Sequence, residues 1–240
     1  MITAGLPLPA HGVFTTRAGG VSLPPWDGLN LAVHVDDAFA KVQRNRELVL
    51  EQLGGEGLVG LAFGKQVHGN GVRVVRGLSK KTSRGLDDTD ALVTTVPGIG
   101  LAMMGADCLP VLLAADGVVG AAHVGRPGLA KGVLREVVRA MREEGAGDIQ
   151  AVIGPGICGL CYEVPPAMAG EVEKAAPGSR ATTRQGTTSV DLTAGATRQL
   201  EELGIAARAV GGCTLEQPER FYSYRRDGRT GRHAGIVWLA

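Results

Sequence analysis

Short apolar runs bounded by glycine dominate the middle and the end of the chain. Those at Val72 to Val75, Ala91 to Thr95, Leu101 to Met104, Val111 to Ala115, Val118 to Ala122, Ala151 to Ile153, Ala207 to Val210 and Ile236 to Leu239 predict strands. Helical spacing replaces them where Leu129, Val133, Leu134, Val137, Val138 and Met141 recur ahead of Gly145. It returns at Leu192, Ala196, Leu200 and Leu203 before Gly204, with Asp191 placed as an N-cap. Because strands cluster from residue 72 to residue 123 instead of alternating with helices, the order predicts α+β layering rather than a doubly wound parallel sheet.

A further helix is predicted by the stripe Phe39, Val42, Val49 and Leu53, whose missing turn is occupied by Arg46 beside Asn45. An inward-facing guanidinium needs an anion or a carboxylate. Arg46 therefore either reaches past the stripe to a structural partner or binds an anion in a pocket.

Composition narrows the function. At 240 residues and 44% hydrophobic, the chain fits one domain spanning residues 1–240. Lys and Arg total 25 against 24 Asp and Glu, which supplies no broad positive field for nucleic acid, so small molecules are the expected partners. No stretch reaches the roughly 18 apolar residues of a membrane span, and the first eleven residues carry no Lys or Arg, so a cytoplasmic location is expected. The 37 glycines follow no repeat period.

Chemistry concentrates around a hairpin. Asp116-Gly117 between two apolar runs predicts a two-residue turn with both central residues at positive φ. If Ala115 then faces Val118, Pro110 faces His123, and Cys108 lies on the face of His123 and diagonal to it. Diagonal partners are about 7–8 Å apart at Cα, a gap that a thiolate and an imidazole bridge through one zinc ion. His68, in Gln66-Val67-His68-Gly69, is a third candidate ligand, and three protein ligands leave a fourth position open, as catalytic zinc sites require.

Other features carry weaker signals. Cys158-Gly-Leu-Cys161 is one CxxC without a second pair and reads best as small packing residues, while Cys213 fits either role. Gly154-Pro155-Gly156 lacks the Gly-Lys-Ser/Thr ending of a phosphate loop and is assigned a shaping role. The tail interleaves Arg220, Arg225, Arg226, Arg229 and Arg232 with Phe221, Tyr222 and Tyr224. Its Asp227-Gly228 and Thr230-Gly231 turns predict an exposed loop from which one or two arginines reach a phosphate or carboxylate.

Taken together, Thr15-Thr16-Arg17-Ala18-Gly19-Gly20-Val21-Ser22, Leu29-Asn30-Leu31, Asn45-Arg46, Gln66-Val67-His68-Gly69, Ala106-Asp107-Cys108-Leu109-Pro110, Ile153-Gly154-Pro155, Tyr162-Glu163-Val164, Gly212-Cys213-Thr214 and Tyr224-Arg225-Arg226-Asp227-Gly228 resemble the YfiH-like family, also called laccase-domain or multicopper polyphenol oxidase proteins. The resemblance runs in order along nearly the whole chain. It implies an α/β/β/α layered sandwich with mixed sheets, similar to a bacterial toxin catalytic domain, and zinc on His68, Cys108 and His123. It further implies phosphorolysis of adenosine, inosine or methylthioadenosine, with nucleoside and phosphate as partners. Adenosine deamination and peptidoglycan editing are also associated with the family. Two departures stand out: His123-Val124-Gly125-Arg126-Pro127-Gly128 replaces the family's His-Ala-Gly-Trp-Arg-Gly, and His34-Val35-Asp36-Asp37 lacks the glycine of His-Val-Gly-Asp-Asp.

On this reading Cys108, His123 and Asp107 are the catalytic candidates, with Asp107 orienting a ligand or moving a proton, or else capping a turn. Arg46, Asn30 and Gln66 are the substrate-binding candidates, the last two by the resemblance alone. The alternative is a metal-free amide hydrolase acting on peptidoglycan precursors, with Cys108 as nucleophile and His123 as base. A copper polyphenol oxidase array is disfavoured, because the chain has five histidines and no His-Cys-His cluster; a single adventitious copper remains compatible.

Overall fold

The computed structural model describes residues 1–7 and 9–240. In chain order the strands begin with β1 (Ile2–Thr3), β2 (Ala10–Phe14), β3 (Gly60–Phe63), β4 (Val72–Val74), β5 (Ala91–Thr94), β6 (Ile99–Gly105) and β7 (Leu109–Ala115). They continue with β8 (Val118–Val124), β9 (Gln150–Ile153), β10 (Arg180–Thr182), β11 (Thr188–Val190), β12 (Ala206–Ala209) and β13 (His233–Leu239). The helices are α1 (Phe39–Leu53), α2 (Lys80–Arg84), α3 (Arg126–Ala130), α4 (Val133–Glu143), α5 (Pro166–Ala175), α6 (Leu192–Glu202) and α7 (Tyr224–Asp227).

Two mixed sheets form the centre, one ordered β1-β2-β13-β6-β3 and the other β12-β9-β7-β8-β5-β4, with β10-β11 as a separate ribbon. The pairs β3/β6, β4/β5 and β9/β12 are parallel; the remaining pairs are antiparallel. Side-chain alternation explains the layering. On β7, Leu109, Val111 and Leu113 face a core shared with α4, α5 and α6, while Leu112 and Ala114 face Leu101, Met103 and Val237 of the other sheet. On β13, Ile236 and Trp238 turn the other way, onto Val49 and Leu53 of α1. Strands buried on both faces read as continuous apolar runs, which is why the central ones stand out in the sequence. The α+β expectation with mixed sheets is met.

Local differences have local causes. The hairpin pairs Ala115 with Val118 and Pro110 with His123, as the turn predicts. Only Gly117 takes a positive φ, 68°, so the expectation of two left-handed turn residues is corrected to one. The helix expected to run on from Leu129 breaks at Gly132, whose φ of 78° lies outside the helical range, giving α3 and α4. Asp191 caps α6 as expected, its side chain accepting the Ala194 N–H at 2.9 Å. Phe39, expected on the buried stripe of α1, is 53% exposed. No helix among the described residues is long and apolar enough to cross a membrane.

Candidate metal centre and cavity

The register of the hairpin builds the site. His123 is on β8 with its side chain directed between the two sheets, on the parity of Val119 and Ala121, and it is only 3% exposed. Cys108 directly precedes β7, and Pro110 does not end the ladder, because pairing continues to Leu109 opposite Val124. Pro110 accepts the Gly154 N–H through its carbonyl. His68 comes from the loop between β3 and β4, at a φ of 57°, and Asp107 sits beside Cys108 at 97°. Two non-glycine residues in the left-handed region at one site mark backbone held by its surroundings.

One ligand atom each from His68, Cys108 and His123 lies within 4.8 Å of the others, a group able to hold a metal ion. His68 Nε2 is 3.6 Å from Cys108 Sγ. The His123 Nδ1–H donates to Asp90 Oδ1 at 2.9 Å, which leaves Nε2 free as a ligand. Asp90, fully buried, also accepts the N–H groups of Val67, His68 and Gly69, so one carboxylate fixes His123 and the loop carrying His68. Gly125 leaves the room: a Cβ there would come within 2.6 Å of His68 Cδ2 and 2.9 Å of Cys108 Sγ. One soft thiolate donor and two imidazoles in an open cradle fit a catalytic zinc-type ion.

Electrostatics set a thiolate at Cys108 beside a His123 imidazole that holds its second proton until a metal ion displaces it. Desolvation would raise the Cys108 thiol, but His123 and His68 outweigh it and pull the pKa down to about 6. For His123, desolvation is overridden by the Cys108 thiolate and Asp90, which raise it to about 9. Burial works against Asp90 too, yet His123 and the N–H groups of Gly69 and Val67 hold its carboxyl below the usual range.

These residues form the floor of a cavity of about 510 Å³, whose walls include His34, Gln66, Tyr162, Tyr224, Arg225 and Arg232. Arg225 lies over the Tyr162 ring, 5.0 Å from its centroid, and donates through Nη1 to the Glu163 carbonyl. Arg232 donates through Nη1 to the carbonyls of Thr230 and Gly231. Its Nε and Nη2 make no hydrogen bond among the described residues. The basic tail is thus a cavity wall, with two of its arginines at the site.

The structure brings Cys108, His123, His68, Asp107 and Gln66 to this cavity. Asp107 has both oxygens engaged, Oδ1 by the Thr214 hydroxyl at 2.7 Å and Oδ2 by the Arg225 N–H at 2.6 Å, so it anchors the wall. Gln66 pairs both ends of its amide with the Met104 backbone. Two placements are corrected. Asn30 is fully buried outside the cavity walls and holds Arg232 in place by accepting its backbone N–H. Arg46 is also outside, with its guanidinium donating to the carbonyls of Leu31 and Ser83 over the Phe63 ring. It acts only through its field: desolvation, Arg232 and Arg46 together lower the pKa of His34 on the cavity wall.

Sequence reading missed Asp90, Tyr162 and His34. For Asp90 the available signal was a polar Asp87-Asp88-Thr89-Asp90 run at the mouth of a buried strand. Tyr162 has its pKa raised by burial and by Cys108, against the neighbouring Arg126 and Arg225. Arg126, the departure from the family pattern, therefore sits next to a ring of the cavity wall.

A layered α/β/β/α scaffold with a His-Cys-His centre at one end of the inter-sheet layer defines the class. The family model described as multi-copper polyphenol oxidoreductase laccase matches residues 11–240, and the chain belongs to that family. A Streptomyces griseus protein named purine nucleoside phosphorylase is 48% identical over 235 residues, covering 96% of this chain and 94% of its own. One of the same name from Deinococcus radiodurans is 42% identical, covering 100% of this chain and 95% of its own. Among solved structures, YlmD from Geobacillus stearothermophilus superposes with a TM-score of 0.88 at 30% identity, covering 98% of this chain and 94% of that one. A Neisseria meningitidis protein of the DUF152 family gives 0.86 at 34%, covering 99% and 98%.

Proposed function

We propose that this chain is a zinc-dependent purine nucleoside phosphorylase acting on adenosine, inosine or methylthioadenosine. The observation that carries the reading is the juxtaposition, in one cavity, of the His68, Cys108 and His123 donors with two arginines and two tyrosines. The names of its relatives support the same activity.

Phosphorolysis forms a bond from a phosphate oxygen to the anomeric carbon and breaks the glycosidic bond, whose electron pair leaves with the base. Arg232, with Nε and Nη2 uncommitted, and Arg225 are the groups to hold the phosphate. Tyr162 and Tyr224 supply ring faces for a purine. The departing base needs a proton, and the Tyr162 hydroxyl, kept protonated by burial and by Cys108, is a neutral donor in the wall. A zinc ion on His68, Cys108 and His123 would supply Lewis-acid polarisation of a substrate atom.

Turnover of inosine should depend on phosphate and vanish with zinc in Cys108→Ala. In Arg232→Ala, KM for phosphate should rise more than KM for the nucleoside. Adenosine converted to inosine without phosphate would make the site a deaminase instead. The line Asp90–His123–Cys108 favours one second reading, a cysteine amide hydrolase. That reading requires activity on amides that survives chelation.

A further inference from the structure

A second constellation lies outside the His-Cys-His centre. Cys158 and Cys161 come from the loop after β9, Cys213 and Glu216 from the loop after β12, and each pair has the same two-residue spacing. One ligand atom from each of the four lies within 4.8 Å of the others. Packing residues, the reading the CxxC suggested alone, do not account for this: Cys158 and Cys161 are only half-buried, and a carboxylate completes the set.

We propose that Cys158, Cys161, Cys213 and Glu216 form a second, structural zinc site that staples these two loops together. Four protein donors, three of them sulfur, match a closed tetrahedral site, in contrast to the open three-donor centre in the cavity. The surroundings resemble the support such sites receive. The backbone N–H of Cys158 donates to Cys213 Sγ at 3.4 Å, the kind of bond that stabilises a thiolate. Tight turns close the first pair, with the N–H groups of Cys161 and Tyr162 both donating to the Cys158 carbonyl at 3.0 Å. Gly156 and Cys213 already pair as a parallel bridge, so the loops are in register before any metal arrives. Arg184 donates through Nε and Nη2 to Glu216 Oε1, orienting the carboxylate. Three thiolates and a carboxylate carry four negative charges; zinc and Arg184 offset three of them.

The site has a mechanical consequence. The first loop carries Ile157 and leads to Tyr162, both lining the cavity. The second carries Thr214, which bonds Asp107, and offers the carbonyls of Thr214 and Leu215 to Arg226, next to Arg225. A metal here would brace the wall that bears Arg225, whatever substrate the cavity accepts.

The test is zinc stoichiometry by mass spectrometry on wild type, Cys108→Ala and Cys161→Ser, together with the absorption of cobalt-loaded Cys108→Ala. The expected result is two zinc ions per wild-type chain and one in each variant. Cobalt-loaded Cys108→Ala should then keep roughly three quarters of the wild-type thiolate-to-cobalt charge-transfer absorption, three of four thiolates remaining. If Cys161→Ser does not fold, the cobalt spectrum of Cys108→Ala decides alone. A single zinc that disappears with Cys108, or a disulfide between any two of Cys158, Cys161 and Cys213, overturns the proposal. Loss of the second zinc with the first intact leaves the catalytic reading untouched, so the two ideas fail separately.

Discussion

At the scale of a single residue, Asp90 organises the centre from behind the cavity lining. Its two oxygens serve His123 and three backbone N–H groups of the His68 loop. Asp90→Asn keeps the volume but replaces one acceptor with an amide that cannot hold both the imidazole and the loop. Affinity of the His68, Cys108 and His123 group for added zinc should fall about 10- to 100-fold, read by competition with a chromogenic chelator; unchanged affinity would show that His123 needs no orienting partner. Gly125→Ala tests the cradle differently. The backbone there, φ −87° and ψ 170°, suits alanine, so the effect comes from a methyl placed against His68 and Cys108. The expected outcome is a folded protein, by circular dichroism, that no longer binds added zinc at the His68, Cys108 and His123 group. The Cys108–His123 pairing was legible in the sequence because a hairpin register is arithmetic once its turn is found, whereas His68 joined it through the family resemblance. Asp90 was not legible, since its role depends on which loop folds over it, and no spacing encodes that.

Helix α1 shows how an element can mislead when read alone. Its apolar stripe with an arginine inside looks like half of an anion site, but the guanidinium donates to the buried Leu31 carbonyl and to the Ser83 carbonyl of α2. Burial lowers the Arg46 pKa to about 10, well above neutrality, so the guanidinium stays charged and serves those carbonyls. Arg46→Ala leaves the buried Leu31 carbonyl unpaired and removes a buried side chain, and should lower unfolding free energy by about 2–4 kcal/mol in urea titrations, with KM for phosphate nearly unchanged. A large rise in that KM at unchanged stability would return Arg46 to substrate binding. Of the elements that escaped sequence reading, β2 and β3 are buried apolar strands, whereas others share a weak apolar pattern. The β10 and β11 ribbon, Arg-Ala-Thr against Thr-Ser-Val, has no apolar face to detect, and α5 opens on proline and is filled with alanine and glycine. The central strands, in contrast, were legible but too short at their ends. β13 begins at His233, beyond the apolar run, because Ala234 and Gly235 are small residues under close packing, with Pro110 and Phe14 against Gly235.

His233 begins β13 one residue after Arg232 of the cavity wall, and its burial makes acid stability a property of the whole molecule. His233 is fully buried, with its ring 5.4 Å from that of Phe221 and 6.5 Å from that of Tyr222, and its backbone pairs with Gly105 on β6. Burial lowers its pKa to about 4, with Arg232 adding to the effect and the Pro155 carbonyl opposing it. In the unfolded chain the group titrates near 6.5. Between those values the unfolded state binds the proton and the folded state does not, so its contribution is complete above about pH 6.5 and is lost as pH falls toward 4. The loss should reach about 3 kcal/mol, a large fraction of the stability of a single domain. Urea unfolding of wild type and His233→Gln at pH 7 and pH 4.5 isolates it: the variant starts less stable but should lose less on acidification, because carboxylate titration is common to both. Parallel losses would mean that His233 takes up its proton inside the fold at no cost to stability. The steeper wild-type loss would instead show that a neutral imidazole is a condition of the sheet packing that positions Arg232 at the cavity.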